Sequence, residues 1–334
     1  MGMDRIAAIW GLGSYAPSKK LTNRDLETTL DTSDEWITSR TGIKCRRIAA
    51  PEEATSDLCL HASRAALDQA RILPSQLDLI IVATLTPDYQ MPSTACVLQE
   101  KLGLGEKGVA AFDLNAACSG FVYGLATAKA YIEAGLANHV LVVGAEVLSR
   151  ILDYQDRSTC ILFGDAAGAA VVGAHRADGP SHKLLSTRLW SDGRGAQMLL
   201  VPAGGSAKPA SQATLDERLH YVKVSGREVF RFGVTKSVEM LNAVLEQHHV
   251  QPREIGKIVP HQANIRILES ACERMGLTMD QMVTNLAEYG NTSAASIPLA
   301  LDEAARQNQL PVGKLVVLLA FGAGLTWASA VIEW

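Results

Sequence analysis

LDLIIVATLTPDYQMPSTACVLQEKLGL, residues 77–104, and REIGKIVPHQANIRILESACERMGL, residues 253–277, follow one plan: a buried apolar strand, a polar turn, a helix and a Gly-Leu stop. What comes after each stretch also matches. The first is followed by the strand VAAFDL, the loop NAACSG, a helix through Gly135, the strand HVLVVGAE and the strand GAAVVGA. The second is followed by MVTNL, read as a strand, the loop YGNTSA, the helix SIPLALDEAARQ, and the strands KLVVLLAFG and WASAVIEW. Strand-helix alternation is common by itself, but a matched order of elements predicts a duplicated α/β chain. The halves are residues 1–175 and 176–334, each with a mixed sheet buried by helices. Between the repeats, SDGRGAQMLLVPAGGSAKPASQATL (192–216) is rich in Gly, Ala, Ser and Pro, and reads as a crossover loop rather than an element.

Composition bounds the function. The 334 residues are 48% hydrophobic, 20% charged and 5% aromatic, a globular composition large enough for two cores. A formal charge of -4 argues against a general nucleic-acid binder, although a local basic patch still suits an acidic partner. Cysteines stand at 45, 59, 96, 118, 160 and 272 with no CxxC pair and no Cys/His cluster, so neither zinc nor a disulfide framework is expected. A reducing cytoplasm is the default compartment. The start, MGMDRIAAIWGLGSY, lacks a sustained apolar core before a cleavage site, and Ile6 occupies the Ser/Thr position of a myristoylation signal. The uncharged run from Leu315 to Ile332 is interrupted by Gly322, Gly324, Thr326 and Ser329, which predicts two buried strands joined by a glycine turn rather than a membrane span.

In such folds ligands gather where loops leave the carboxyl ends of strands. The repeat puts Cys118 of the first half opposite His261 and Asn291 of the second, each after an apolar stretch: VAAFDL, KIVP and MVTNL. Cys118 falls near a helix start, where unpaired N–H groups favour thiolate and are expected to pull the thiol below its usual pKa of about 8.5. Each residue also has a plainer reading: a small buried hydrophobe for the cysteine, a satisfied structural histidine, a turn asparagine. Converging on one pocket, they form a catalytic constellation.

DTSDEWITSRTGI (31–43), AACSGF (116–121), LFGDAAGAAVV (162–172), VPHQANIRI (259–267), YGNTSAAS (289–296) and AFGAGLTW (320–327), in this order, resemble the β-ketoacyl-acyl carrier protein synthase III family of the thiolase superfamily. The resemblance runs from near residue 5 to the C-terminus. It implies a duplicated thiolase-like fold with α-β-α-β-α layers, and a Cys118, His261, Asn291 site. Cys118 would take an acyl group from acyl-CoA and pass it to the carbanion formed by decarboxylating malonyl-acyl carrier protein. A cysteine thioester suits covalent catalysis, and decarboxylation needs hydrogen-bond donors at the enolate oxygen rather than a base.

The resemblance also implies a second oxyanion hole from the backbone N–H groups of Cys118 and Ala323, the latter often Gly in relatives. For CoA it implies Trp36 and Arg157 around the adenine, Arg40 near the phosphates and Asn264 along the pantetheine tunnel. Taken alone, Trp36 reads as packing and Arg40 as a surface charge. A basic rim for the acidic carrier would include Arg266, with Arg231 and Arg274 nearby, while Glu273 departs from a lysine found in some relatives. Met91 stands where a partner subunit's residue, often Phe, closes the acyl pocket; a flexible thioether there predicts primers longer or more branched than acetyl. A homodimer is implied, with no cofactor beyond the CoA thioester as substrate, and no nucleic acid or membrane partner. The alternatives are a polyketide starter-unit enzyme or a transferase passing the same acyl-cysteine to another acceptor, both with the same triad, and a non-catalytic partner subunit, which typically loses the nucleophile. A degradative thiolase is disfavoured because no second cysteine stands in AFGAG.

Overall fold

The computed structural model describes residues 5–177, 179 and 181–334. The first four residues of the MGMDRIAAIWGLGSY stretch therefore lie outside the described residues. The principal strands are β1 (Ala7–Tyr15), β2 (Leu79–Ala83), β3 (Ala110–Leu114), β4 (His139–Glu146), β5 (Ala166–Ala174), β6 (His182–Ser191), β7 (Ile255–Pro260), β8 (Leu315–Gly322) and β9 (Thr326–Glu333). The main helices are α1 (Asp34–Thr41), α2 (Thr55–Ala70), α3 (Thr94–Lys101), α4 (Gly120–Glu133), α5 (Gly226–His248), α6 (Ile265–Arg274) and α7 (Ser296–Arg306).

The strands hydrogen-bond in the order β7-β8-β9-β6-β1-β5-β4-β2-β3. Within each group the same rule holds: β2 is parallel to β4 as β7 is to β8, β4 is antiparallel to β5 as β8 is to β9, and the opening strand, β1 or β6, pairs with the last. Among the described residues the groups join through two residue pairs of β1 and β6, Ala8 with Lys183 and Ile9 with His182. One expected strand is missing. MVTNL contributes a single bridge, Met282 to Ile258, in the place that β3 fills in the first group, so the sheet ends at β7.

Side-chain alternation builds the layers. On β4, Val140 and Val142 face the central core while Leu141, Val143 and Ala145 face outward against α2; on β8, Val316, Leu318 and Ala320 face the centre while Val317 and Leu319 face the side of α5 and α6. Strands buried on both faces read as continuous apolar runs, which is why these were recognisable. Helices α4 and α7 lie between the two groups and touch strands of both, with α2 and α3 on one outer side and α5 and α6 on the other. The expected α-β-α-β-α layering is the observed one, and Leu315–Ile332 is the β8–β9 hairpin. Among the described residues no helix is long and apolar enough to cross a membrane.

Residues 192–216 are not the featureless crossover expected. They hold a short helical turn, Gly193–Met198, a strand, Leu199–Leu200, paired with Lys223–Val224, and the helix Gln212–Asp216. Such short pieces carry no hydrophobic period of their own and are held by what they pack against.

Candidate active site

The repeat brings two similar turns together at the centre of the molecule. In the first half Asn115 Oδ1 accepts the Ala117 N–H at 3.2 Å, Ala117 has a φ of 46°, and a helical turn leads into α4. In the second, Asn291 Oδ1 accepts the Ser293 N–H at 2.8 Å, Ser293 has a φ of 50°, and a helical turn leads into α7. Left-handed backbone at non-glycine residues is costly and persists where the surroundings impose it. Each turn thereby sets the residue after it, Cys118 and Ala294, at a helix entry. Close approach is enforced from the sheet: a Cβ on Gly322 would lie 2.7 Å from Cys118 N, so only glycine fits there.

Cys118, His261 and Asn291 are all buried and line one cavity of about 140 Å³, together with Asn264, Phe230, Ile267 and Phe321. The three residues the sequence singled out are thus brought together. His261 Nδ1 lies 2.7 Å from Ser296 Oγ, and its ring meets Phe321 edge-on at 5.3 Å between centroids. Burial lowers its pKa to about 3, so the imidazole is neutral. Asn291 is held by its backbone, N–H to Leu162 O at 2.8 Å and C=O from Gly164 N–H at 3.0 Å, while its Oδ1 is taken by Ser293. Its amide N–H donors have no protein partner among the described residues.

The expected depression of the thiol pKa is not found. Burial pushes Cys118 up to about 12, against a hydrogen bond with the Ser293 side chain that lowers it, while the Glu146 charge raises it further. Desolvation of a fully enclosed sulfur outweighs the helix terminus, a balance that depends on tertiary enclosure.

A second cavity, about 250 Å³, opens on the other side of Cys118 and is lined by Ala323, Asn115, Ser293, Leu85, Leu148, Phe163, Leu199–Val201 and Val222. Ala323 lines this cavity together with Cys118. The supposed crossover contributes the apolar wall at Leu199, Leu200 and Val201. Met91 lines neither cavity and is 87% exposed.

Away from the cavity, two guanidinium groups lie over the Trp36 ring, Arg40 at 4.9 Å and Arg157 at 5.0 Å from its centroid. Arg157 also hydrogen-bonds Asp31 O. Asn264 links this cluster to the buried cavity: its Nδ2 donates to Arg40 O at 3.1 Å and its Oδ1 caps α6 at Arg266 N, 2.9 Å. Arg231, near the start of α5, and Arg266, near the start of α6, are exposed beside residues that line the cavity. Arg274 is at the opposite end of α6, about 12 Å along the axis from Arg266. It is not part of that group.

Sequence reasoning missed Ser296, Ser293 and Glu146. Glu146 closes the strand HVLVVGAE at its carboxyl end, after the apolar run VLVVGA; an acid in that position was the available signal. Among the described residues no group of three or more His, Cys, Asp or Glu side chains is placed to hold a metal ion.

A thiol at one half's turn, facing an imidazole and a carboxamide from the other, on the fold just described, defines a thiolase-like condensing enzyme. Known proteins of similar sequence narrow the class. Residues 112–193 match the family described as 3-oxoacyl-[acyl-carrier-protein] synthase III, and residues 245–334 match its C-terminal part. The β-ketoacyl-[acyl-carrier-protein] synthase III of Caldanaerobacter subterraneus subsp. tengcongensis is 52% identical over 332 residues, covering 99% of each chain. The crystal structure of 3-oxoacyl-[acyl-carrier-protein] synthase III from Aquifex aeolicus is 44% identical with a TM-score of 0.88, covering 98% of this chain and 100% of that one. The corresponding enzyme of Pseudomonas aeruginosa is 43% identical with a TM-score of 0.89, covering 99% and 98%. The chain belongs to the β-ketoacyl-[acyl-carrier-protein] synthase III family.

Proposed function

We propose that this enzyme initiates fatty-acid synthesis by condensing an acyl-CoA primer with malonyl-acyl carrier protein through an acyl-Cys118 intermediate, releasing CoA, CO2 and 3-oxoacyl-acyl carrier protein. The single observation that carries the residue assignment is the shared cavity of Cys118, His261 and Asn291. The sulfur attacks the primer's thioester carbonyl, and the backbone N–H groups of Cys118 and Ala323 hold the oxyanion. After CoA leaves, the malonyl thioester enters by the same route. His261 Nε2–H, fixed by Ser296 at Nδ1, and the Asn291 amide N–H then hydrogen-bond the thioester oxygen that becomes the enolate as CO2 departs. Each donor is worth about 3–4 kcal/mol in the transition state. Enclosure protects the acyl-enzyme from hydrolysis.

Trp36, Arg40 and Arg157 bind the adenine and phosphates of CoA, and Asn264 the pantetheine, supported by the stacked guanidinium-indole cluster and its hydrogen-bonded link to the cavity. No cofactor is needed. The acyl chain lies in the cavity of about 250 Å³ lined by Leu85, Leu148 and Phe163. With Met91 closing it from a second subunit, primers longer or more branched than acetyl are accepted. β3 is the sheet's edge strand, and Tyr89 and Met91 are exposed; pairing of β3 with a second copy across a two-fold axis gives a homodimer. On this reading the halves divide at residues 175 and 176, the carrier meets Arg231 and Arg266, and the free cysteines suit the cytoplasm. Nothing favours a polyketide starter-unit role or a non-catalytic subunit.

The test is product analysis with acyl-CoA, malonyl-acyl carrier protein and purified enzyme. A 3-oxoacyl-acyl carrier protein one malonyl-derived unit longer than the primer supports the reading; transfer of the acyl group to another acceptor without CO2 release refutes it.

A further inference from the structure

Glu146 is completely buried at the end of β4, with no salt-bridge partner among the described residues. Its carboxylate accepts hydrogen bonds from Thr84 Oγ1 (3.2 Å), Leu85 N (3.2 Å), Thr86 N (3.1 Å) and Thr86 Oγ1 (2.6 Å), and from Ser293 Oγ at 3.1 Å. Ser293 is the residue whose strained turn is braced by Asn291, and it lines the same cavity as Cys118, whose thiol its side chain hydrogen-bonds. The Ser293 hydroxyl therefore stands in contact with the carboxylate on one hand and shares the cavity wall with the nucleophilic sulfur on the other. Burying a carboxylate without a cation is expensive, and the reaction described above has a proton that needs a place to go.

We propose that Glu146 is the proton store of the acyl-transfer cycle, taking the Cys118 thiol proton through the Ser293 hydroxyl and returning it during condensation. This rests on the reaction proposed above. As Sγ bonds to the primer carbonyl, its proton passes to Ser293 Oγ and the Ser293 proton to Glu146 Oε1. The C–S bond to CoA breaks, and the CoA thiolate is protonated by solvent. In the second half-reaction the enolate carbon attacks the acyl-cysteine, the C–S bond to Cys118 breaks, and the Glu146 proton returns through Ser293 to the sulfur. The carboxylate charge lost as CO2 reappears on Glu146, so each turnover takes up one proton overall.

The electrostatics favour this acceptor. Burial raises Glu146 to about 7, a useful value for a base at neutral pH, whereas His261 at about 3 is much the weaker base. With Cys118 at about 12, transfer ahead of attack is uphill, so the proton leaves as the new C–S bond forms. Against Glu146 are the hydroxyls of Thr84 and Thr86 from the loop after β2 and of Ser293 from the turn before α7, and its charge acts on the Cys118 thiol from the turn before α4 and the Cys59 thiol from α2. Cys59 is itself pushed well up by burial and stays protonated.

The experiment follows the rate of Cys118 acylation by acyl-CoA against pH in wild type, Glu146→Gln, Ser293→Ala and the double variant, using rapid quench and intact-protein mass spectrometry. The wild-type rate rises through an inflection near pH 7. Each single variant loses roughly 10²-fold at neutral pH and the inflection, and the double variant loses no more than either single one. Ser293→Ala leaves Glu146 its Thr84, Leu85 and Thr86 partners, so it serves if Glu146→Gln folds poorly. Folded variants that keep the inflection and acylate within twofold of wild type, or losses that add, overturn the relay. Failure of wild type itself to acylate would instead sink the proposed reaction.

Discussion

The Ser296 hydroxyl, at the first residue of α7, sits 2.7 Å from His261 Nδ1, at the end of the strand β7. With the hydroxyl donating, the imidazole carries its proton on Nε2, where it serves as a donor. Ser296→Ala releases that choice of tautomer. We expect about a tenfold fall in kcat for CO2 release from malonyl-acyl carrier protein, about 1.4 kcal/mol, with the KM for acyl-CoA unchanged. Steady-state assays on each substrate separate the two parameters.

His261 also predicts a pH dependence of stability. Its folded pKa, about 3, lies below the unfolded value near 6.5, so between these values the unfolded chain binds a proton that the folded one does not. Stability contributed here is complete above pH 6.5 and falls as pH drops toward 3. The unfolding midpoint of wild type should therefore fall more between pH 8 and pH 4.5 than that of His261→Gln. Equal falls would show that the imidazole is not held neutral.

Gly322→Ala places a methyl 2.7 Å from Cys118 N. Backbone cannot yield as a flexible side chain would, and overpacking of this kind costs about 1–3 kcal/mol. The expected result is a lowered thermal midpoint and at least tenfold slower acylation of Cys118, read by quenched mass spectrometry.

What the sequence disclosed and what it hid have physical causes. Strands such as LDLIIVA, HVLVVGAE and KLVVLLAFG announced themselves because both faces are buried, and the repeat placed Cys118, His261 and Asn291 without knowledge of any contact. The sign of the Cys118 shift was hidden, since a helix start was visible but the degree of enclosure was not. Leu199–Val201 read as loop because a two-residue strand has no periodicity, yet they wall the cavity beside the sulfur. Arg274 looked equivalent to Arg266 until α6 put the two at opposite ends. Glu146 and Ser293 are far apart in sequence and meet only through the fold.

Trp36→Ala removes the ring that Arg40 and Arg157 both cover. Loss of stacking worth about 1–2 kcal/mol raises the KM for acyl-CoA roughly 5- to 30-fold, with little change in the KM for malonyl-acyl carrier protein.

Arg266→Glu and Arg231→Glu should act on the opposite substrate. Each raises the KM for malonyl-acyl carrier protein about tenfold and weakens its salt dependence, because rim charges act mainly on association. Arg274→Glu, displaced along α6, has a smaller effect. Kinetics at low and high ionic strength distinguish the three.

The most direct test is the mass of the intact enzyme after exposure to acyl-CoA and then to malonyl-acyl carrier protein. The prediction is one acyl adduct on Cys118 that disappears with CO2 release when the second substrate is added; Cys118→Ala gains no adduct but keeps some malonyl decarboxylation, and His261→Ala loses that decarboxylation. An adduct mapping to another residue, or an acylated Cys118 that malonyl-acyl carrier protein cannot discharge, would contradict the account.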